Sequence, residues 1–286
     1  MSQTAFKLKL PDKRLSSVVF ASPHACATYP TTFVQQSILD EHTIRSSEDA
    51  FVNDLFAAAP DFGAPLLMAG APRAFVDMNR SQEELDPALI EGAKGHAHNP
   101  RVASGLGVIP RVVSNGRAIY RGKISMTEAQ HRIETYWRPY HTALQGLLDE
   151  AKSEFGHAIL IDCHSMPHEA MDGIARIGSS RPEIVLGDRF GAAASAEIVD
   201  RVESAFASAG LTVTRNAPFA GAYVTQAYGR PSRRQHAIQV EIDRAIYMDE
   251  KRIVPNENFA EFQAMLRKII AEIASIDGDC LALAAE

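Results

Sequence analysis

The chain has 286 residues, 46% hydrophobic and 22% charged, with a net charge of −6 and a sequence pI near 5.9. That composition is globular rather than disordered, and its acidic balance excludes a nucleic-acid protein held by a basic surface. No apolar run approaches the roughly 18–20 residues that a membrane helix needs.

In chain order, the N-terminal MSQTAFKLKLPDKRLSSVVF has an apolar patch too short and too interrupted for a secretory signal. Ser17–Ala21 (SVVFA) reads as the first strand. A helix is expected to open at Ser46-Ser47, with Phe51, Val52, Leu55 and Phe56 on one face and acidic residues in the first turn. Pro65–Met68 and Phe75–Asp77 come next as strands, and residues 86–122, with scattered glycines and prolines, are the least regular stretch and a source of active-site loops. Ser125-Met-Thr-Glu128 is a capping box at the head of a long helical region that Pro139 should kink or split. His157–Asp162 (HAILID), Ile184–Leu186, Leu211–Thr214 and Ala237–Ile242 (AIQVEI) read as later strands. Helices are expected over Ala192–Ala209, stopped by Gly210, and from near Asn256, burying Phe262, Leu266, Ile269 and Ile273.

Strands alternating with helices imply an α/β fold. With no repeat, low-complexity tract or linker-like stretch, a single domain spanning residues 1–286 is expected. Three cysteines (Cys26, Cys163, Cys280) lack a framework spacing and fit thiols in a reducing, cytoplasmic compartment. The sequence sets no oligomeric state.

Two histidines stand at the ends of two of the expected strands: SVVFASPH ends in His24 and HAILIDCH in His164. Ligands of open α/β sheets collect at the carboxyl ends of strands, and neutral imidazoles from two strands can share one zinc ion. A lone histidine in such a place is more often a hydrogen-bonded structural residue. Asp162 either orients an imidazole or simply ends a strand. Ser46-Ser-Glu-Asp49 offers a carboxylate for a two-histidine, one-carboxylate site, or merely caps a helix. Arg73-Ala-Phe-Val-Asp77-Met-Asn79-Arg80 brings arginines that can fork onto a carboxylate or stabilise an oxyanion. Glu241 falls inside an apolar strand pattern, where an unpaired carboxylate is expensive to bury. It is therefore a candidate general base, unless it faces outward on an alternating strand.

Taken in order, SPHACATYP, SSEDAFVNDLF, FVDMNRSQEELD, LIDCHSMP, IVLGDRFG and IQVEIDRAIYMDE resemble the N-formylglutamate amidohydrolase family, over Ser22 to Glu250. The resemblance implies a mixed central sheet flanked by helices, similar to the zinc carboxypeptidases and aspartoacylase. It further implies zinc-dependent release of formate from N-formyl-L-glutamate, a step in histidine breakdown. His24 matches the histidine of the family's S-P-H segment, and His164 that of D-x-H-S-M-P. The carboxylate ligand is expected in Glu48-Asp49, with Asp49 preferred. Arg73, Asn79 and Arg80 look like the arginine and D-x-N-R motif that bind substrate carboxylate or polarise its carbonyl. Glu241 resembles the late-strand glutamate that activates water, Arg244 is an expected carboxylate anchor, and Ala220-Gly221-Ala222-Tyr223 resembles a substrate loop. Ala25-Cys26 stands where the family commonly has Ser-Gly, and Gly221-Ala222 where it has paired glycines, departures that bear on the shape of the pocket.

The expected chemistry is hydrolysis assisted by one zinc ion on His24, Asp49 and His164, with Glu241 moving the proton, Arg73 facing the oxyanion, and Asn79, Arg80 and Arg244 holding a small acidic N-acyl amino acid. Two rivals remain: a deacylase or carboxypeptidase-like hydrolase of another N-acyl amino acid, and a catalytically silent ligand-binding relative.

Overall fold

The computed structural model describes residues 4–94, 99–172 and 181–276. Its main strands are β1 (Phe6–Lys9), β2 (Val18–Ser22), β3 (Leu66–Ala69), β4 (Ala158–Met166), β5 (Ile184–Gly187), β6 (Val213–Arg215) and β7 (Gln235–Asp243). The helices are α1 (Thr31–Gln36), α2 (Val52–Leu55), α3 (Pro100–Ala103), α4 (Met126–Arg132), α5 (Arg138–Phe155), α6 (Ala196–Ser208), α7 (Tyr223–Tyr228) and α8 (Phe259–Ala274). The seven strands form one sheet in the order β1-β3-β2-β4-β7-β5-β6. β2, β4 and β7 run parallel, whereas β5 is antiparallel to β7. This is the mixed α/β sheet expected from the sequence.

The chain divides into two compact units. One comprises Leu8–Ser22, Phe51–Leu67 and Leu144–Glu286 and contains most of the sheet. Every residue of β4 and β7 is buried, as befits central parallel strands covered on both faces. Their apolar content reflects this: Ile159, Ile161 and Cys163 alternate with Leu160 and Asp162 along β4, whose second half turns polar on one face, while β7 carries Gln235 and His236 at its start and Gln239, Glu241 and Asp243 further on. Helix α6 packs on β5 and β6, and α7 on β4 and β7. Helix α8 lies against α6 and α2, burying Phe262, Leu266, Ile269, Ile270 and Ile273, each worth about 1.5–3 kcal/mol of transfer free energy. Gly210, at φ +90°, comes just after the end of α6 as expected.

The other unit, Met1–Lys7, Pro23–Ala50 and Met68–Ala143, is built mainly from turns and short helices. Ser125 caps α4 by accepting the Glu128 N–H. Between α4 and α5 the helix takes a π-turn over Ile133–Trp137, in which the Arg138 N–H reaches back to Ile133 O. Pro139 has no N–H to donate, so the helix is interrupted where the sequence predicts.

Three expectations are corrected, and one strand was not foreseen. Ser46-Ser47 does not open a helix. Those residues form a turn after a 3₁₀ segment (Thr43–Arg45), the Asp49 N–H donates to His24 O, and Phe51 is left-handed (φ 67°), so α2 is only four residues long. Phe75–Asp77 is not a strand. Phe75 N–H and Val76 N–H both turn back to Pro72 O, and Phe75 O is taken by the buried Arg132 guanidinium instead of a ladder partner. β4 continues to Met166, so His164 lies within the strand and not after it. β1 escaped the pattern because its side chains are largely exposed. Cys26 and Cys163 are buried free thiols, while Cys280 lies outside the described residues. Among the described residues, no helix is long and apolar enough to cross a membrane.

Candidate metal centre and active site

His24 lies two residues beyond β2 in a loop, so hydrogen bonds must fix its ring. Its Nε2 lies 2.7 Å from Asp77 Oδ1. Asp77 also takes the Arg73 Nε–H through Oδ2 (3.2 Å) and the Asn79 backbone N–H through Oδ1 (2.8 Å). Burial alone pushes the Asp77 carboxyl up, but His24, Arg73 and Arg80 together hold it well below the usual carboxylate range. With Nε2 engaged, Nδ1 is the ring atom that His24 can offer a cation, and it stands 3.4 Å from Asp49 Oδ2. Asp49 is itself tied to this loop through its backbone bond to His24 O (3.1 Å). Its neighbour Glu48 is occupied elsewhere, forking onto Arg45 Nε and Nη2 at 2.9 Å each and accepting from Tyr29 Oη.

Sheet register does the corresponding work for His164. Ala21 of β2 pairs with Asp162 of β4, Asp162 pairs with Gln239 of β7, and His164 pairs with Glu241. Side chains alternate with period two, so Asp162, His164, Gln239 and Glu241 make a polar block on one face of adjacent strands. His164 Nε2 lies 2.9 Å from Asp162 Oδ2, so a carboxylate fixes this ring as Asp77 fixes that of His24. Gln239 Nε2 donates to Glu241 Oε1 (2.8 Å), and Gln239 Oε1 accepts the Ala222 N–H (3.0 Å). Gly221 beside it sits at φ +101°, and a Cβ there would fall 2.4 Å from Thr225 Oγ1, so glycine is required.

Among the described residues, His24, Asp49 and His164 form a group able to hold a metal ion: all three are buried, and one ligand atom from each lies within 4.8 Å of the others. The donors fit zinc. Zinc bonds of about 2.0–2.2 Å in a tetrahedron separate adjacent donors by about 3.4 Å, the His24–Asp49 spacing found here. Both imidazoles are backed by carboxylates, the outer arrangement that fixes tautomer and ring orientation in metal sites.

The other expected residues fall around these two clusters. Arg73 is partly exposed and hydrogen-bonded to Asp77. Asn79 is buried, with its backbone at Asp77 and Arg80. Arg80 is buried too, its guanidinium held by Leu106 O (3.0 Å) and Asn79 O (3.1 Å). Its charge is felt by Asp77 and Glu84, which offset part of the cost of its burial. Arg244 is buried and donates to Ser165 Oγ (3.1 Å) and Ser165 O (3.3 Å). Sequence reasoning gave no role to Asp77 or Gln239. The signal for Asp77 was its i,i+4 spacing from Arg73, and for Gln239 its place two residues before Glu241 on the same face of a strand.

The family model of N-formylglutamate amidohydrolase matches residues 16–248. An N-formylglutamate deformylase of Pseudomonas aeruginosa is 29% identical, with 90% of each chain aligned, and one of Pseudomonas putida is 28% identical over 82% of each. The crystal structure of an N-formylglutamate amidohydrolase from Ralstonia eutropha JMP134 superposes with a TM-score of 0.87 at 35% identity, covering 94% of this chain and 96% of that one. With most of the sequence inside the family model and nearly all of it superposing on a family structure, the chain belongs to the N-formylglutamate amidohydrolase family.

Proposed function

We propose that this chain hydrolyses the amide of N-formyl-L-glutamate to formate and glutamate, with a zinc ion held by His24, Asp49 and His164. The observation that carries this reading is the trio of buried donors whose two imidazoles are each backed by a carboxylate. The names of the Pseudomonas and Ralstonia relatives support the choice of substrate.

When bound, such a cation supplies Lewis acidity, lowering the pKa of water toward neutrality and polarising a carbonyl. The side chains do the rest. Glu241 takes the proton from the attacking water as the new C–O bond forms at the formyl carbon. It passes that proton to nitrogen as the C–N bond breaks. Arg73 stabilises the charge that gathers on the formyl oxygen. Arg80 and Arg244 bind the carboxylates of the glutamyl part, where a guanidinium fork matches carboxylate geometry, and Asn79 adds an amide to the same task. Gly221 permits the close backbone approach of the substrate loop.

Formate release from N-formylglutamate, neutral N-formyl amino acids and N-acetylglutamate, with metal analysis of the same sample, tests the proposal. N-formylglutamate should be turned over best, with about one zinc per chain, as for a catalytic site with three protein ligands and an open fourth position. Chelation should abolish turnover and zinc should restore it. Metal-replete protein that releases no formate from N-formylglutamate would overturn the reading.

A further inference from the structure

The Gln239 side chain spans two polar groups that the chemistry above uses separately. Its Oε1 accepts the backbone N–H of Ala222, and its Nε2 donates to Glu241 Oε1. The orientation of this amide is set chemically. A backbone N–H can only donate, so the oxygen must face Ala222 and the NH₂ must face Glu241. Both Gln239 and Glu241 are buried, so the hydrogen bonds are shielded from competing water. The register supports them from beneath, since Gln239 and Glu241 project from one face of β7 beside Asp162 and His164 of β4.

We infer that Gln239 is a positioning residue: it fixes the Glu241 carboxylate for proton transfer and ties that carboxylate to the Gly221-Ala222 loop. The inference rests on the reading of Glu241 as the proton carrier. An amide nitrogen has no available lone pair, so it cannot accept from a protonated Oε1. The Gln239 N–H occupies one lone pair of Oε1 and lowers the basicity of that oxygen, so Gln239 favours Oε2 for the proton that Glu241 takes from water. The same bridge makes the loop and the base respond together: Ala222 cannot shift without releasing the amide, and the amide cannot turn without offering its oxygen to a carboxylate. Ala222 stands where the family commonly has a second glycine, and its contact here is made by the backbone, which either residue supplies.

A double-mutant cycle tests this. Gln239→Met removes both hydrogen bonds at similar volume. Gln239→Glu keeps the acceptor for Ala222 but sets a second carboxyl against Glu241, so the pair shares a proton and Glu241 is no longer held by a neutral donor. Both should lower kcat by about tenfold or more, the lower end of the effect of outer partners in metal sites. Gln239→Glu should leave KM within about twofold of the parent, because its acceptor still holds the loop. In a Glu241→Gln background, which by itself should lower kcat by about 10²–10⁴-fold, Gln239→Met should cost nothing further, since Gln239 acts through Glu241. An unchanged kcat in both Gln239 variants, or the same fold loss from Gln239→Met in both backgrounds, would overturn the inference. A Glu241→Gln enzyme with normal turnover would instead remove the base beneath it, a failure of the earlier reading that the cycle reports separately. Zinc content and thermal midpoint of each variant identify any that fail to fold, and the near-isosteric Gln239→Glu then carries the test.

Discussion

The two compact units position their chemistry by different means. In the sheet-bearing unit, His164 and Glu241 are paired across β4 and β7, and Asp162 and Gln239 are paired two residues earlier. Backbone ladders hold these four before any side chain makes a contact. In the other unit, His24, Asp49 and Arg73 lie on loops and turns, and their order depends on one buried carboxylate, Asp77, which meets the His24 ring, the Arg73 guanidinium and the Asn79 amide together. A strand-borne ligand is placed by the pleat, whereas a loop-borne ligand is placed by its hydrogen bonds. The second arrangement concentrates its dependence on fewer atoms.

The sharpest way to break this contrast is to remove the two carboxylates behind the histidines. Asp77→Ala should lower zinc affinity by about 100-fold and Asp162→Ala by about tenfold, the two ends of the range for such partners. Competition with a chelating dye measures both, and equal losses would show that strand register contributes nothing to ligand placement. Next in size is Arg80→Ala. It should raise KM for N-formylglutamate by roughly 30-fold, the low end of the effect of truncating one partner of a buried hydrogen-bonded charge pair, while a neutral N-formyl amino acid is affected much less. Arg80→Lys should not rescue it, because an ammonium cannot reproduce the planar fork.

The smallest effect belongs to the sheet-bearing unit, at the opposite end of β7. His236 is buried and its Nδ1 accepts the Ser195 N–H (3.1 Å). Burial, reinforced by His157, pushes its pKa down to about 4. Unfolded, the ring takes a proton below about pH 6.5. Between those values the unfolded chain binds the extra proton, so stability falls as pH is lowered from about 6.5 toward 4. His236→Gln keeps an acceptor but does not titrate. Urea midpoints of metal-free protein at pH 7 and pH 5 should therefore fall less in the variant than in the parent, and parallel losses would exclude His236 as the cause.

The same contrast explains what could be read from the sequence. AILID and AIQVEI are apolar runs of strand length bounded by turn residues, so β4 and β7 were legible, and with them the placement of Asp162 and Glu241 in the sheet, although β4 runs on past His164. The segment Ser46–Asp49 has the residue types of a helix start, yet the Asp49 N–H is used by His24 O, 25 residues earlier in the chain. No local pattern reports such a bond. FVD alternates like a strand, but Arg132 claims the Phe75 carbonyl from 57 residues away. Gln239 stood in plain view two residues before Glu241. The missing piece was the Ala222 N–H, which gives the amide its direction.

The π-turn between α4 and α5 sets the rotational phase of α5. It places Trp137 and His141 one turn apart on the same face, and both grip a single short segment: Trp137 Nε1–H meets Arg80 O and His141 Nε2 meets Met78 O, each at 2.9 Å. His141, its pKa lowered to about 4 by burial, stays neutral and keeps its proton on Nε2 to donate. The helix thus acts as a ruler, with marks one turn apart that clamp the carbonyls on either side of Asn79. Deleting one residue from Ile133–Trp137 would rotate every later mark by about 100° and withdraw both clamps from the segment that presents Arg80. The irregular turn is therefore a spacing constraint on inheritance, under which the helix can change its side chains more freely than its length.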